Sequence, residues 1–137
     1  MKKHKIFIFS FVLSALFLIG CDKVIYKDID LPSLEDIESI EITGGESKFA
    51  SDDKNIILKL IENMSNATIT NKESVQDVPN QEKYIKINLI TKEYTSTFFV
   101  YWEDSKLYLE QPYVGIYLAD TSLNEVINGI YDFKFKD

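Results

Sequence analysis

Apolar and polar positions alternate in distinct ways along this chain, and each pattern predicts a different element. Residues 6–19 are apolar apart from Ser10 and Ser14, with no alternation at all. Ile37, Ile40 and Ile42 lie in a β-branched run that ends at Gly44-Gly45, which predicts a strand and a hairpin turn, with Lys48-Phe49-Ala50 as a short return strand. Ile56, Ile57, Leu60, Ile61 and Met64 recur at helical spacing behind Ser51 and Asp52, either of which suits an N-cap, and Asp52 and Asp53 favour the helix dipole. Residues 65–82 are polar, carry Pro79 and have no period, which predicts a long loop. In residues 84–90, Ile85, Ile87 and Leu89 share one face, with Lys86 and Asn88 on the other. Residues 94–102 and 106–110 complete an antiparallel meander across the turn Glu103-Asp104-Ser105. A final stripe of Leu123, Val126, Ile127 and Ile130 predicts a second helix, capped by Ser122 and Glu125 as an S-x-x-E box and with Gly129 at its last turn.

The predicted order is ββαβββα, an α+β fold in which two helices pack on a mostly antiparallel sheet. It occupies residues 34–137 as one domain, as a chain of 137 residues with 45% hydrophobic composition suggests. Residues 21–33 read as a tether: charges mixed with single apolar residues, no sustained period, and Pro32. Extended, such a segment spans roughly 40 Å at about 3.3 Å per residue. Asp28-Ile29-Asp30 fails as a calcium loop, because Ser33 and Ser39 stand where Gly and Glu are needed.

Residues 1–20 have the form of a targeting segment. Lys2, Lys3 and Lys5 precede the apolar run, which is short for a helix that must span about 20 residues of hydrocarbon. The run closes with Leu18-Ile19-Gly20-Cys21, which resembles the lipobox of bacterial lipoproteins. That resemblance implies cleavage between Gly20 and Cys21 and a diacylglyceryl group on the Cys21 sulfur. An ordinary secretory peptide would place a small residue where Leu18 stands, and a core helix would not open on a Lys cluster. Two acyl chains suffice for lasting attachment, so Cys21 is expected to hold the protein to membrane lipid at the extracytoplasmic face.

Charge and chemistry narrow the function. All 15 basic residues are Lys, against 22 acids. Loss of residues 1–20 leaves 12 Lys and 22 acids, a balance of −10. Such a surface repels phosphate backbones, and nucleic-acid binding is not expected. His4 and Cys21 are the only His and Cys, so the mature chain offers no His-dependent triad, thiol nucleophile, typical metal site or expected cofactor. Carboxylate pairs remain: Asp52 with Asp53 at a helix start, and Glu103 with Asp104 in a turn. Neither context supplies the apolar pocket that raises a catalytic carboxyl.

The aromatic residues are more informative. Phe98, Val100 and Trp102 alternate with Phe99 and Tyr101, and Leu107 and Leu109 alternate with Tyr108 and Glu110. The sheet therefore has two apolar faces. One reading covers both, the second by the aromatic tail Tyr131, Phe133 and Phe135. The other leaves Tyr84, Phe99, Tyr101 and Tyr108 exposed to a partner. The first is the commoner outcome. Tyr113 and Tyr117, in the segment Gln111-Pro112-Tyr113-Val114-Gly115-Ile116-Tyr117, are either core or a binding lip, and as a sheet edge this segment would accept a partner strand.

Three stretches resemble a family of small Gram-positive-type bacterial lipoproteins that carry a domain of unknown function of roughly ninety residues. They are I-x-S-I-E-I at residues 37–42, Y-I-K-I at 84–87 and E-Q-P-Y-x-G-I-Y at 110–117. The resemblance spans most of residues 36–120, stops short of the last helix and implies no activity or catalytic residue. The combined expectation is a lipid-anchored, extracytoplasmic, non-enzymatic module that binds a protein or peptide. The competing expectations are a carboxylate-dependent envelope hydrolase, using Glu103, Asp104 or Glu110, and a passive surface lipoprotein.

Overall fold

The computed structural model describes residues 25–131. The isoleucine run that opens the domain becomes an interior strand, β1 (Ile37–Gly44), flanked by its hairpin partner β2 (Ser47–Ser51) and by β4 (Ile85–Thr91). Between them in the chain come α1 (Lys54–Ser65) and the two-residue β3 (Thr68–Ile69). β5 (Thr95–Glu103), β6 (Lys106–Gln111), β7 (Gly115–Leu118) and α2 (Thr121–Ile130) follow. All pairings are antiparallel, in the order β2-β1-β4-β5-β6-β7-β3. The expected α+β arrangement is present, with β3 and β7 added to it. A register shift between Ile37 and Ser39 lets Ile37 share a face with Ile40 and Ile42 despite the odd spacing.

Both helices cover one face. Ile57, Leu60 and Met64 of α1 and Leu123 and Ile127 of α2 are fully buried against Ile40, Ile42, Ile85, Ile87, Leu89, Phe98, Val100 and Leu109. Capping differs in position from the sequence expectation. Asp53, rather than Ser51 or Asp52, caps α1 by accepting from the Asn55 amide at 2.8 Å. Asp120 caps α2 by accepting from the Ser122 amide at 2.9 Å, so Ser122 lies inside the helix and no Ser122–Glu125 box forms the cap. α2 ends at Tyr131, whose hydroxyl donates to the Gly44 carbonyl at 3.1 Å and accepts from the Gly44 amide at 3.2 Å, tying the helix end to the β1–β2 turn.

The segment expected to be a free tether is docked for much of its length. Asp30 and Gln111 exchange two hydrogen bonds, Asp30 N–H to Oε1 at 2.8 Å and Nε2–H to the Asp30 carbonyl at 2.9 Å. The Tyr117 hydroxyl donates to the Lys27 carbonyl at 2.9 Å. Ile29, Leu31 and Leu34 pack against the helix-side core, and Pro32 is buried. Main-chain groups in an unpaired segment need partners, and two side chains from the sheet provide them. The folded unit thus begins near Lys27 rather than at Leu34. Residues 1–24, with the predicted targeting segment and Cys21, lie outside the described residues, as do Phe133 and Phe135.

Candidate functional site

The second face of the sheet carries Phe99 and Tyr101 from β5, Tyr108 and Glu110 from β6 and Ile116 from β7, as strand alternation requires. Tyr84 meets Phe99 edge-on at 5.2 Å between ring centres, and Tyr101 lies beside Tyr108 at 6.0 Å. This face is closed. Phe99, Tyr101 and Tyr108 are at most 7% exposed. The covered face, the commoner of the two outcomes, is the one present, and the alternative of an exposed aromatic surface is not available in this form: Tyr84 is half-buried, and Tyr117 points into the helix-side core.

What closes it is the polar loop between β3 and β4, held down by side-chain hydrogen bonds. The Thr70 hydroxyl donates to the Ile116 carbonyl. Lys72 pairs with Glu103 and sits 4.3 Å above the Tyr108 ring. Gln81 donates to the other Glu103 oxygen at 3.0 Å. Ser74 and Tyr101 both donate to Glu110, at 2.6 and 3.0 Å, and Glu110 is only 2% exposed. A buried carboxylate is tolerated only when its oxygens are satisfied, and here one donor comes from the sheet and one from the cover. Burial, reinforced by the Glu110 carboxylate, raises the Tyr101 hydroxyl far above its ordinary value. The Lys72 hydrogen bond holds Glu103 below the usual carboxylate range. Asp104 occupies the β5–β6 turn with positive φ, next to Ser105, in the manner of a type I′ hairpin. Among the described residues, no group of His, Cys, Asp or Glu is placed to hold a metal ion.

The segment from Glu110 to Tyr117 joins these parts, and its residue types have physical reasons. Glu110 anchors the cover and Gln111 clamps the N-terminal strap. Pro112 and Tyr113 make a turn closed by the Val114 amide on the Gln111 carbonyl at 3.0 Å. A Cβ at Gly115 would stand 3.0 Å from the Tyr117 hydroxyl, so any larger residue there would push on the ring that reaches across to the strap. Tyr113 is the exception. It sits at φ 61°, where a bulky side chain is strained, and it is 63% exposed. A hydrogen bond to Asp77 raises its hydroxyl pKa. Around it lie Ile25, Tyr26 and Val75, which are 83%, 43% and 70% exposed and line the same cavity of about 190 Å³.

Of the six aromatic positions singled out by sequence, Tyr113 alone is mostly exposed, with Tyr84 half-buried. Ile25, Tyr26 and Val75 were not singled out, since isolated apolar residues in polar segments carry no periodic signal. As a sheet position, the 110–117 segment is partly covered: β7 pairs with β6 on one side and, at Tyr117 and Leu118, with the two-residue β3 on the other. Among the described residues, the longer of the two edge strands is β2, at the far side of the sheet from β3. Beside it runs a groove of about 520 Å³ lined by Phe49, Ile56, Val126, Gly129 and Ile130, with Lys59 and Glu125 at its margin.

This architecture defines an α+β domain with one sheet face under two helices and the other under a hydrogen-bonded loop. The chain belongs to the DUF5301 family, described as "Domain of unknown function (DUF5300)", whose profile matches residues 25–118. The first matched residue falls at the start of the docked strap. Among solved structures it is similar to the "NMR structure of the protein from Ruminococcus gnavus", with 32% sequence identity and a TM-score of 0.65, covering 74% of this chain and all of that one. No curated protein matches the chain.

Proposed function

We propose that this protein is a lipid-anchored, extracytoplasmic accessory module that recognises an extended segment of another envelope protein along β2, without chemistry of its own. The observation that carries this reading is the relation between the two sheet edges. The N-terminal strap, from Ile25 to Asp30, lies beside β6 and β7, and Cys21 precedes it in the chain by only a few residues. β2 lies five strand steps from β7 in the sheet order, about 24 Å at about 4.8 Å per step. Anchoring at one edge presents the other away from the membrane. There, among the described residues, β2 ends the sheet, and its neighbouring groove is apolar enough to take side chains of an added strand. Among the described residues, no helix is long and apolar enough to cross a bilayer, so membrane attachment in this reading rests on Cys21.

Photo-crosslinking in the cell, from a reactive residue in place of the exposed Ala50, tests it. Gly129→Leu is the blocking variant: a Cβ there meets nothing within 4 Å, so the side chain enters the groove without disturbing the fold, and helix propensity improves. A single protein adduct that Gly129→Leu abolishes is the expected result. Adducts only to the chain's own residues 132–137, or adducts indifferent to Gly129→Leu, overturn it.

A further inference from the structure

Nine large apolar side chains are exposed among the described residues, and four of them, Ile25, Tyr26, Val75 and Tyr113, gather around one shallow cavity. They come from three separate segments: the start of the strap, the cover loop and the β6–β7 turn. We propose that this cluster is a bilayer-contacting surface on which the domain rests against the membrane. The inference builds on the lipid-anchor reading and adds to it a fixed orientation of the domain.

The argument is one of reach. Because the strap is docked from Lys27 onward, the leash between lipid and domain is far shorter than a free segment to Ser33 would be. Three residues separate Cys21 from Ile25, and the four steps between them span at most about 14 Å even fully extended. A diacylated Cys21 therefore holds Ile25 within one headgroup layer or so of the lipid surface, with the cluster beside it. Its composition suits that place. Tyrosine partitions to the membrane–water boundary, where its ring meets acyl chains and its hydroxyl stays wet. The charges lining the cavity, Lys27, Lys72 and Glu73, nearly balance, and Lys72 is already paired with Glu103. Apolar and aromatic contact, rather than attraction to anionic headgroups, drives the association. The strained φ of Tyr113 keeps an aromatic side chain where glycine would be the relaxed choice.

The test uses the full lipoprotein in phosphatidylcholine vesicles that contain a lipid with a carbene-generating headgroup label, with labelled residues located by mass spectrometry. Labelling is expected to concentrate on Tyr26, Val75 and Tyr113, to leave Leu58 on α1 and strand β2 untouched, and to persist at high salt. Tyr113→Gly, which removes the ring while relieving the backbone, is expected to lower labelling of Val75 and Tyr26 several-fold with the fold intact. Even labelling of all exposed apolar side chains, with intact mass showing an acylated Cys21, overturns the surface and leaves the anchor standing. An unacylated Cys21 overturns both. Protection of the cluster in native membranes without labelling in pure lipid vesicles assigns it to a protein and also overturns the proposal.

Discussion

Glu110 and Tyr101 show how much a single buried pair constrains this domain. The Tyr101 hydroxyl donates to a carboxylate that also takes the Ser74 hydroxyl, so the neutral phenol is the form the fold requires. Its pKa is raised in the folded state, first by burial and then by the Glu110 charge, above the value of 10.0 that an unfolded tyrosine has. Stability from this group is therefore fully present below pH 10 and is lost as pH rises beyond it. Denaturant midpoints measured across the alkaline range should fall steeply from about pH 10, and Tyr101→Phe should flatten that limb at a cost of about 1–3 kcal/mol at neutral pH, since it leaves one oxygen of the buried Glu110 unpaired. A limb unchanged in the variant would show that other tyrosines govern alkaline unfolding. Strand alternation already places Tyr101, Tyr108 and Glu110 on one face. It does not reveal their partners, because Ser74 and Lys72 sit in a polar stretch that looks like solvated loop.

The same reason explains which elements were legible. β1, β4, β5, β6 and both helices announce themselves by period, since each buries a continuous stripe. β3 has two residues and β7 four, too few for a period to register. The caps were legible in kind but not in place. Ser51, Asp52 and Asp53, and likewise Asp120, Thr121 and Ser122, are successive residues that all suit an N-cap, and only the backbone geometry chooses among them. The cover between β3 and β4 is the element the hydropathy pattern hides most completely, for it closes an aromatic face by hydrogen bonds rather than apolar burial. Ser74→Ala leaves one oxygen of the buried Glu110 unpaired and should destabilise by about 1–3 kcal/mol in urea unfolding. Faster amide exchange in residues 70–82, at rates that leave β4 and β5 protected, would locate the loss in the cover. A uniform loss of protection would instead mean that cover and sheet open together.

At the scale of the whole molecule, the strap changes what the domain is. A chain starting at residue 34 contains every predicted strand and helix, yet it lacks the partners of Gln111 and Tyr117. Two hydrogen bonds to Asp30, one to Lys27 and the packing of Ile29, Leu31 and Pro32 go with the strap. Their loss should cost about 3–5 kcal/mol, several hydrogen bonds and partly buried apolar side chains together. That is a large share of the stability of a domain this size. Urea unfolding of chains beginning at residues 25 and 34 measures the difference directly, and Gln111→Ala assigns it. In the longer chain the substitution should cost about 1–2 kcal/mol. In the shorter one its effect should nearly vanish, because Gln111 then has no strap to hold. Equal stabilities would return residues 27–33 to the role of a free tether, and with a long leash no geometric reason would remain for one edge of the sheet to face the membrane and the other a partner.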